Sequence, residues 1–154
     1  MIDKFGRVQV KFYRETNNPL PIYSNHGDAG MDIRSNEDTS IAGFAWGVVS
    51  TGLYVVIPYG YEGQVRSRSG LAAKKGITVL NSPGTIDADY RGEIGVILIN
   101  LSSENYMLNP GERVAQLVIS RYEKVSWDLD RDLDNTTRGN KTNTIYKYYY
   151  WSKI

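Results

Sequence analysis

The chain has 154 residues, enough for one domain with its own buried core and too few for a second catalytic domain. Its 41% hydrophobic and 23% charged residues mark a globular rather than a disordered chain, and Lys+Arg 18 against Asp+Glu 17 leaves a net charge of +1, so no basic field gathers a nucleic-acid backbone. With no cysteine and one histidine, His26, the chain lacks thiol nucleophiles, disulfides, cysteine-held metals and most His-based triads, leaving carboxylates, hydroxyls and a hard cation for its chemistry. The N-terminal Ile2, Asp3 and Lys4 do not form the apolar core of a signal peptide, and no stretch approaches the roughly 20 apolar residues of a membrane span. The expectation is a soluble, cytoplasmic protein without a membrane or nucleic-acid partner.

From the N-terminus, Val8, Val10 and Phe12 alternate with polar neighbours as a half-buried strand does. Ala29-Gly30-Met31-Asp32-Ile33 begins another strand, and Leu53 to Ile57 reads as a more fully buried one. Pro58 to Gly63 turns the chain into an extended Gln64 to Arg68. One short helix is predicted over Gly70 to Lys75, capped by Ser69 and closed by Gly76. Glu93 to Leu101 is the strongest strand candidate; Asn109-Pro110-Gly111-Glu112 then turns into a strand from Arg113 to Ile119. There, alternation puts Arg113, Ala115 and Leu117 on one face and Gln116 on the other. Many short strands with at most one short helix predict an all-β sandwich, barrel or jelly roll. We expect a β domain over 1–126 and a C-terminal arm over 127–154, polar at first and ending in Tyr146, Tyr148, Tyr149, Tyr150 and Trp151.

Two windows offer chemistry. In Asn81 to Glu93 the Pro83-Gly84 turn leads into Asp87-Ala88-Asp89, two carboxylates predicted on one side of a strand-like segment, suited to acid-base work, to calcium, or to plain solvation. In Arg66 to Leu71, Arg68, the Ser69 hydroxyl and the backbone around Gly70 can hold phosphate, or simply cap a loop. Asp32 fits an N-cap, an arginine partner or a water-mediated metal contact, and Gln116 by itself fits a polar surface position.

Taken in order, four segments resemble the motifs of the trimeric deoxyuridine triphosphatase (dUTPase) family: Ala29 to Ile33, Arg68-Ser69-Gly70-Leu71-Ala72, Gly84 to Glu93, and Gly111 to Leu117. The resemblance implies a jelly-roll-like β fold of the dUTPase type and a homotrimer with shared active sites. It also implies hydrolysis of dUTP at the α-phosphorus to dUMP and pyrophosphate with Mg²⁺. Asp87 then resembles the carboxylate that positions and deprotonates the attacking water, and Tyr90 the ring beneath the deoxyribose that leaves no space for a 2′-OH. Asn81 and the backbone of Gly84, Thr85 and Ile86 resemble the uracil-binding hairpin. Arg68, Ser69, Gly70 and Gln116 match positions along the triphosphate, and Asp32 matches an acid organising the magnesium side indirectly, through water or a neighbouring arginine. The deoxycytidine triphosphate deaminases resemble this fold too, but the strand after Glu93 lacks the acid that their reaction needs.

The family's fifth, glycine-rich motif is half present. Arg138-Gly139-Asn140 fit its start, so Arg138 is a candidate substrate contact, whereas Lys141 to Lys147 replace its glycines, Phe, Ser and Thr. Three readings follow: another closing device, reduced activity, or a dUTP-binding regulatory or protein-interaction module with weak turnover.

Overall fold

A computed structural model describes residues 2–4, 6–130 and 136 of the chain. It divides into two units, Met1–Glu123 and Lys124–Ile154. In the first, the described residues form β1 (Lys11–Arg14), β2 (Met31–Arg34), β3 (Thr39–Ile41), β4 (Trp46–Val49), β5 (Leu53–Val56), β6 (Tyr61–Arg66), α1 (Ser69–Lys75), β7 (Ile77–Val79), β8 (Gly84–Ile86), β9 (Val96–Asn100), β10 (Tyr106–Leu108) and β11 (Arg113–Arg121). In the second, residues 124–130 carry no regular secondary structure, and Val125, Trp127 and Leu129 are exposed.

The strands pair antiparallel into a four-stranded sheet, β2-β11-β6-β8, a three-stranded sheet, β4-β9-β7, and the pairs β1-β5 and β10-β3. This is the jelly-roll-like β fold expected. Inward residues of the larger sheet, among them Ile33, Val65, Ile86, Ala115 and Leu117, join Val49, Ile77, Val79, Val96 and Leu98 of the smaller one in a single core. Each buried Val, Leu or Ile contributes about 1.5–3 kcal/mol, which is how a chain without disulfides stays folded. The opposite face of the larger sheet is polar, because Glu62, Gln64 and Arg66 alternate with the buried Gly63 and Val65 along β6.

Several boundaries differ from the sequence reading. The strand predicted around Val8 to Phe12 forms later, as β1, with Val8 held in an isolated bridge to Ile2. Among the described residues β1 pairs only with β5 and its four residues are exposed; the predicted alternation reaches the core just ahead of it, where Val8 and Val10 are half-buried between exposed neighbours and Val10 packs against the core. β9 starts at Val96 rather than Glu93, since Gly95 N–H turns back onto the Glu93 carbonyl at 3.0 Å. The N-cap of α1 is Arg68, without a side-chain cap bond, not Ser69; Ser69 is already helical. Gly76 closes the helix as predicted, in the left-handed region at φ 67°, and donates its N–H to Ala72.

Candidate active site

One group of residues gathers around the end of β8. β8 lies at the margin of its sheet, paired with β6 through Val65↔Gly84 and Gly63↔Ile86. After Ile86 the chain enters a turn in which the Tyr90 N–H donates to the Asp87 carbonyl at 3.1 Å, with Ala88 buried and Asp87 and Asp89 exposed. The two acids therefore sit on a turn, not on one side of a strand. Thr85, Ile86, Asp87, Tyr90, Glu93, Ile94 and Gly95 line a cavity of about 240 Å³. Asn81 belongs to the same neighbourhood: its Nδ2 lies 3.1 Å from where a Cβ on Gly84 would project.

The Tyr90 ring has little freedom. Its hydroxyl donates to the Glu93 carbonyl at 2.9 Å, and the ring lies so close to Gly92 that a Cβ there would come within 2.7 Å of Cζ. Residue 92 must be glycine for Tyr90 to keep this pose. Glu93 is fixed in turn. Its Oε1 accepts the Ser50 hydroxyl at 2.6 Å and the N–H groups of Gly52 and Thr51 at 2.7 and 2.8 Å. Burial works against the charge on Glu93, but these three donors outweigh it and hold the carboxyl below its ordinary value of 4.5.

A second group occupies the polar face of the larger sheet. In register, Gln116 on β11 stands opposite Asp32 on β2 and Arg66 on β6, so the three lie abreast. They border a cavity of about 360 Å³ that Ser24, Asp28 and Gly30 also line, with Gly30 lying against the Gln116 side chain. Asp32 pairs with two arginines, Oδ1 accepting from Arg68 Nε at 2.9 Å and Oδ2 from Arg113 Nη1 at 3.1 Å. Arg68 also donates from Nη1 to the Arg113 carbonyl at 3.1 Å. Ser69 and Gly70 follow it, exposed, in the first turn of α1.

Arg113 reaches Asp32 because β11 carries a register shift between Arg113 and Ala115. This corrects the strict alternation that placed Arg113 with Ala115 and Leu117: the bulge releases it from the core face that Ala115 and Leu117 occupy. The turn ahead of Arg113 is tied by Tyr106, whose hydroxyl donates to Glu112 Oε1 at 2.6 Å. Burial and the Glu112 carboxylate push that phenol up to about 12, against the opposing pull of the Arg68 charge.

The structure thus gathers Asn81, Gly84, Thr85, Ile86, Asp87 and Tyr90 in one place and Asp32, Arg68 and Gln116 in another, and the two cavities share no lining residue. Arg138 lies outside the described residues, as does the aromatic tip of the arm. Among the described residues no group of three or more His, Cys, Asp or Glu could hold a metal ion, and no helix is long and apolar enough to cross a membrane. Sequence reasoning gave no role to Arg113, Glu93 or Arg66. A two-residue polar alternation through Glu62, Gln64 and Arg66 was the available signal for the last.

Known proteins resemble this chain closely. A family model described as dUTPase matches residues 16–144. The deoxyuridine 5′-triphosphate nucleotidohydrolase of Orientia tsutsugamushi (strain Ikeda) is 48% identical over 139 residues, covering 88% of this chain and 94% of its own. The protein of that name from Fusobacterium nucleatum is 50% identical over 135 residues, covering 86% and 92%. Among solved structures, a Staphylococcus bacteriophage 80alpha dUTPase mutant with dUpNHpp superposes with a TM-score of 0.80 at 25% identity, covering 88% of this chain and 96% of that one. A dUTPase mutant from phage phi11 of S. aureus, described with a structural Mg(II) ion, gives a TM-score of 0.74 at 25% identity, covering 80% and 97%.

Proposed function

The chain belongs to the dUTPase family, and from that premise we propose how its residues divide the hydrolysis of dUTP. It is a dUTP diphosphatase, converting dUTP and water to dUMP and pyrophosphate. The observation that carries the assignment of roles is the cavity bordered by Asp87, Tyr90, Thr85 and Ile86 at the end of a marginal strand.

In our reading the uracil lies along β8, whose outer edge has no neighbouring strand among the described residues, so main-chain groups of Gly84, Thr85 and Ile86 take the pairing edge of the base beside Asn81. Tyr90 supports the deoxyribose. Its hydroxyl bond to the Glu93 carbonyl and its contact with Gly92 keep the ring from yielding, which is what exclusion of a ribose 2′-OH requires. The exposed Asp87 carboxylate holds a water and accepts its proton as the water oxygen bonds to the α-phosphorus. The bond from that phosphorus to the bridging oxygen breaks, and pyrophosphate leaves with the electron pair.

Arg68, Ser69, Gly70, Gln116 and, from the arm over 127–154, Arg138 take the phosphate chain. Asp32 holds Arg68 and Arg113 at fixed distances, which sets two guanidinium groups without letting either collapse onto the other. The protein side offers no chelating cage among the described residues, which fits a hard cation carried by phosphate oxygens and water, with Asp32 as its water-mediated carboxylate. When bound, Mg²⁺ neutralises charge on the departing pyrophosphate.

Because the sugar cavity and the phosphate row are separate in one chain, we place the complete site between copies in a homotrimer. A cytoplasmic setting suits a chain without cysteine. The test is pyrophosphate release by the full-length chain with dUTP, UTP, dTTP and dCTP in turn. Release from dUTP alone is expected; ammonia from dCTP, or no release from dUTP, would overturn the reading.

A further inference from the structure

We propose that Arg66 is a substrate-binding residue that takes the β,γ end of the phosphate chain; the inference rests on the dUTP reading above. Arg66, Gln116 and Asp32 are direct neighbours across β6, β11 and β2, on the face opposite the buried Val65, Leu117 and Ile33. A ligand group held at Gln116 in the 360 Å³ cavity therefore meets the Arg66 side chain as an adjacent wall.

The guanidinium is set in advance along its own strand. Gln64 Oε1 accepts from Arg66 Nε at 2.9 Å and from Nη2 as well, while Gln64 Nε2 donates to Glu62 Oε1 at 2.6 Å. Two of the three guanidinium nitrogens are thus fixed by a ladder that ends on a carboxylate. No described residue takes Nη1. A pre-oriented fork loses less side-chain entropy when it grips an anion than a free one does.

Charge favours an anion here. Asp32 is already matched by Arg68 and Arg113, which reach it without lining the cavity themselves, so with Asp28 counted the surroundings of Arg66 carry three cations to two carboxylates. Asp28, the other acid lining the cavity, accepts the Asn25 N–H at 2.8 Å and closes its own turn. Glu62 is set back behind Gln64. The cavity shares no residue with the one holding Asp87 and Tyr90 and is lined by Gln116, a phosphate position in the reading above, so the part of dUTP that meets Arg66 is its phosphate chain rather than its sugar or base.

The test compares ligands with and without that part. The full-length protein and its Arg66→Gln variant are titrated calorimetrically with dUpNHpp and with dUMP, both in Mg²⁺ buffer, and assayed with dUTP. We expect dUpNHpp affinity to fall by at least ~10-fold, the loss of a charge-assisted bond, with dUMP affinity kept within about twofold and KM for dUTP raised more than kcat falls. Arg66→Lys, which keeps charge without the fork, should recover part of the loss. Unchanged dUpNHpp affinity, or an equal loss for dUMP, overturns the role of Arg66 while the wild-type protein still turns over dUTP. A wild-type protein that neither binds dUpNHpp nor hydrolyses dUTP overturns the dUTP reading itself, and this proposal with it.

Discussion

Asp87 and Tyr90 close the same turn, and the proposed division of work between them is separable by substitution. Asp87→Asn preserves the turn, whose hydrogen bond from Tyr90 ends on the main-chain oxygen of residue 87, and removes the carboxylate proposed to accept the proton. We expect dUTP turnover to fall by at least ~100-fold, with the melting temperature and dUpNHpp affinity near wild type. An unaltered rate would take Asp87 out of the mechanism. Tyr90→Ala should shrink the ratio of kcat/KM for dUTP over UTP; a retained ratio would place the sugar gate elsewhere. Both residues are candidates in the sequence through the resemblance carried by Gly84 to Glu93, and the structure places them on one turn beside one cavity. Arg113 is not, since alternation carries it through a bulge that sequence pattern does not mark. Glu93 escapes for another reason: its partners Ser50, Thr51 and Gly52 lie 41 to 43 residues earlier, where no local periodicity points.

At the scale of elements, that same Glu93 joins the turn before β5 to the segment before β9, and its main-chain oxygen steadies Tyr90. The strands themselves are legible where a buried face enforces period two, as in β5, β6 and β9. Their ends are not, because ties such as the Glu93 clamp depend on distant chain. Glu93→Ala leaves the N–H groups of Thr51 and Gly52 without this acceptor, and we expect a loss of about 1–3 kcal/mol in urea unfolding. The pH dependence has a definite sign. The folded carboxyl titrates below its ordinary 4.5, so its stabilisation is complete above that value and disappears as pH falls through the folded one. Wild-type stability should therefore drop more steeply than that of Glu93→Gln on acidification from about pH 6 to pH 3. Parallel curves for the two proteins would show that the clamp carries no ionic contribution.

For the whole molecule, two proposed duties are separable: completion of the site by neighbouring copies and completion of the site by the arm. The sequence raises both, since the segments that resemble the family's first four motifs are present while the fifth changes character after Asn140. Neither answer is local, because each depends on which surfaces meet after folding. A single deletion distinguishes them when three properties are measured together. Removing residues 140–154 from an arm that closes over substrate should lower kcat and dUpNHpp affinity while sedimentation still gives three times the chain mass. If that segment instead ties copies together, mass falls to that of one chain and the rate falls with it, since the cavity at Asp87 loses its phosphate row. Full activity at trimer mass would show that both duties end before residue 140, with Arg138 as the last contact that the substrate needs.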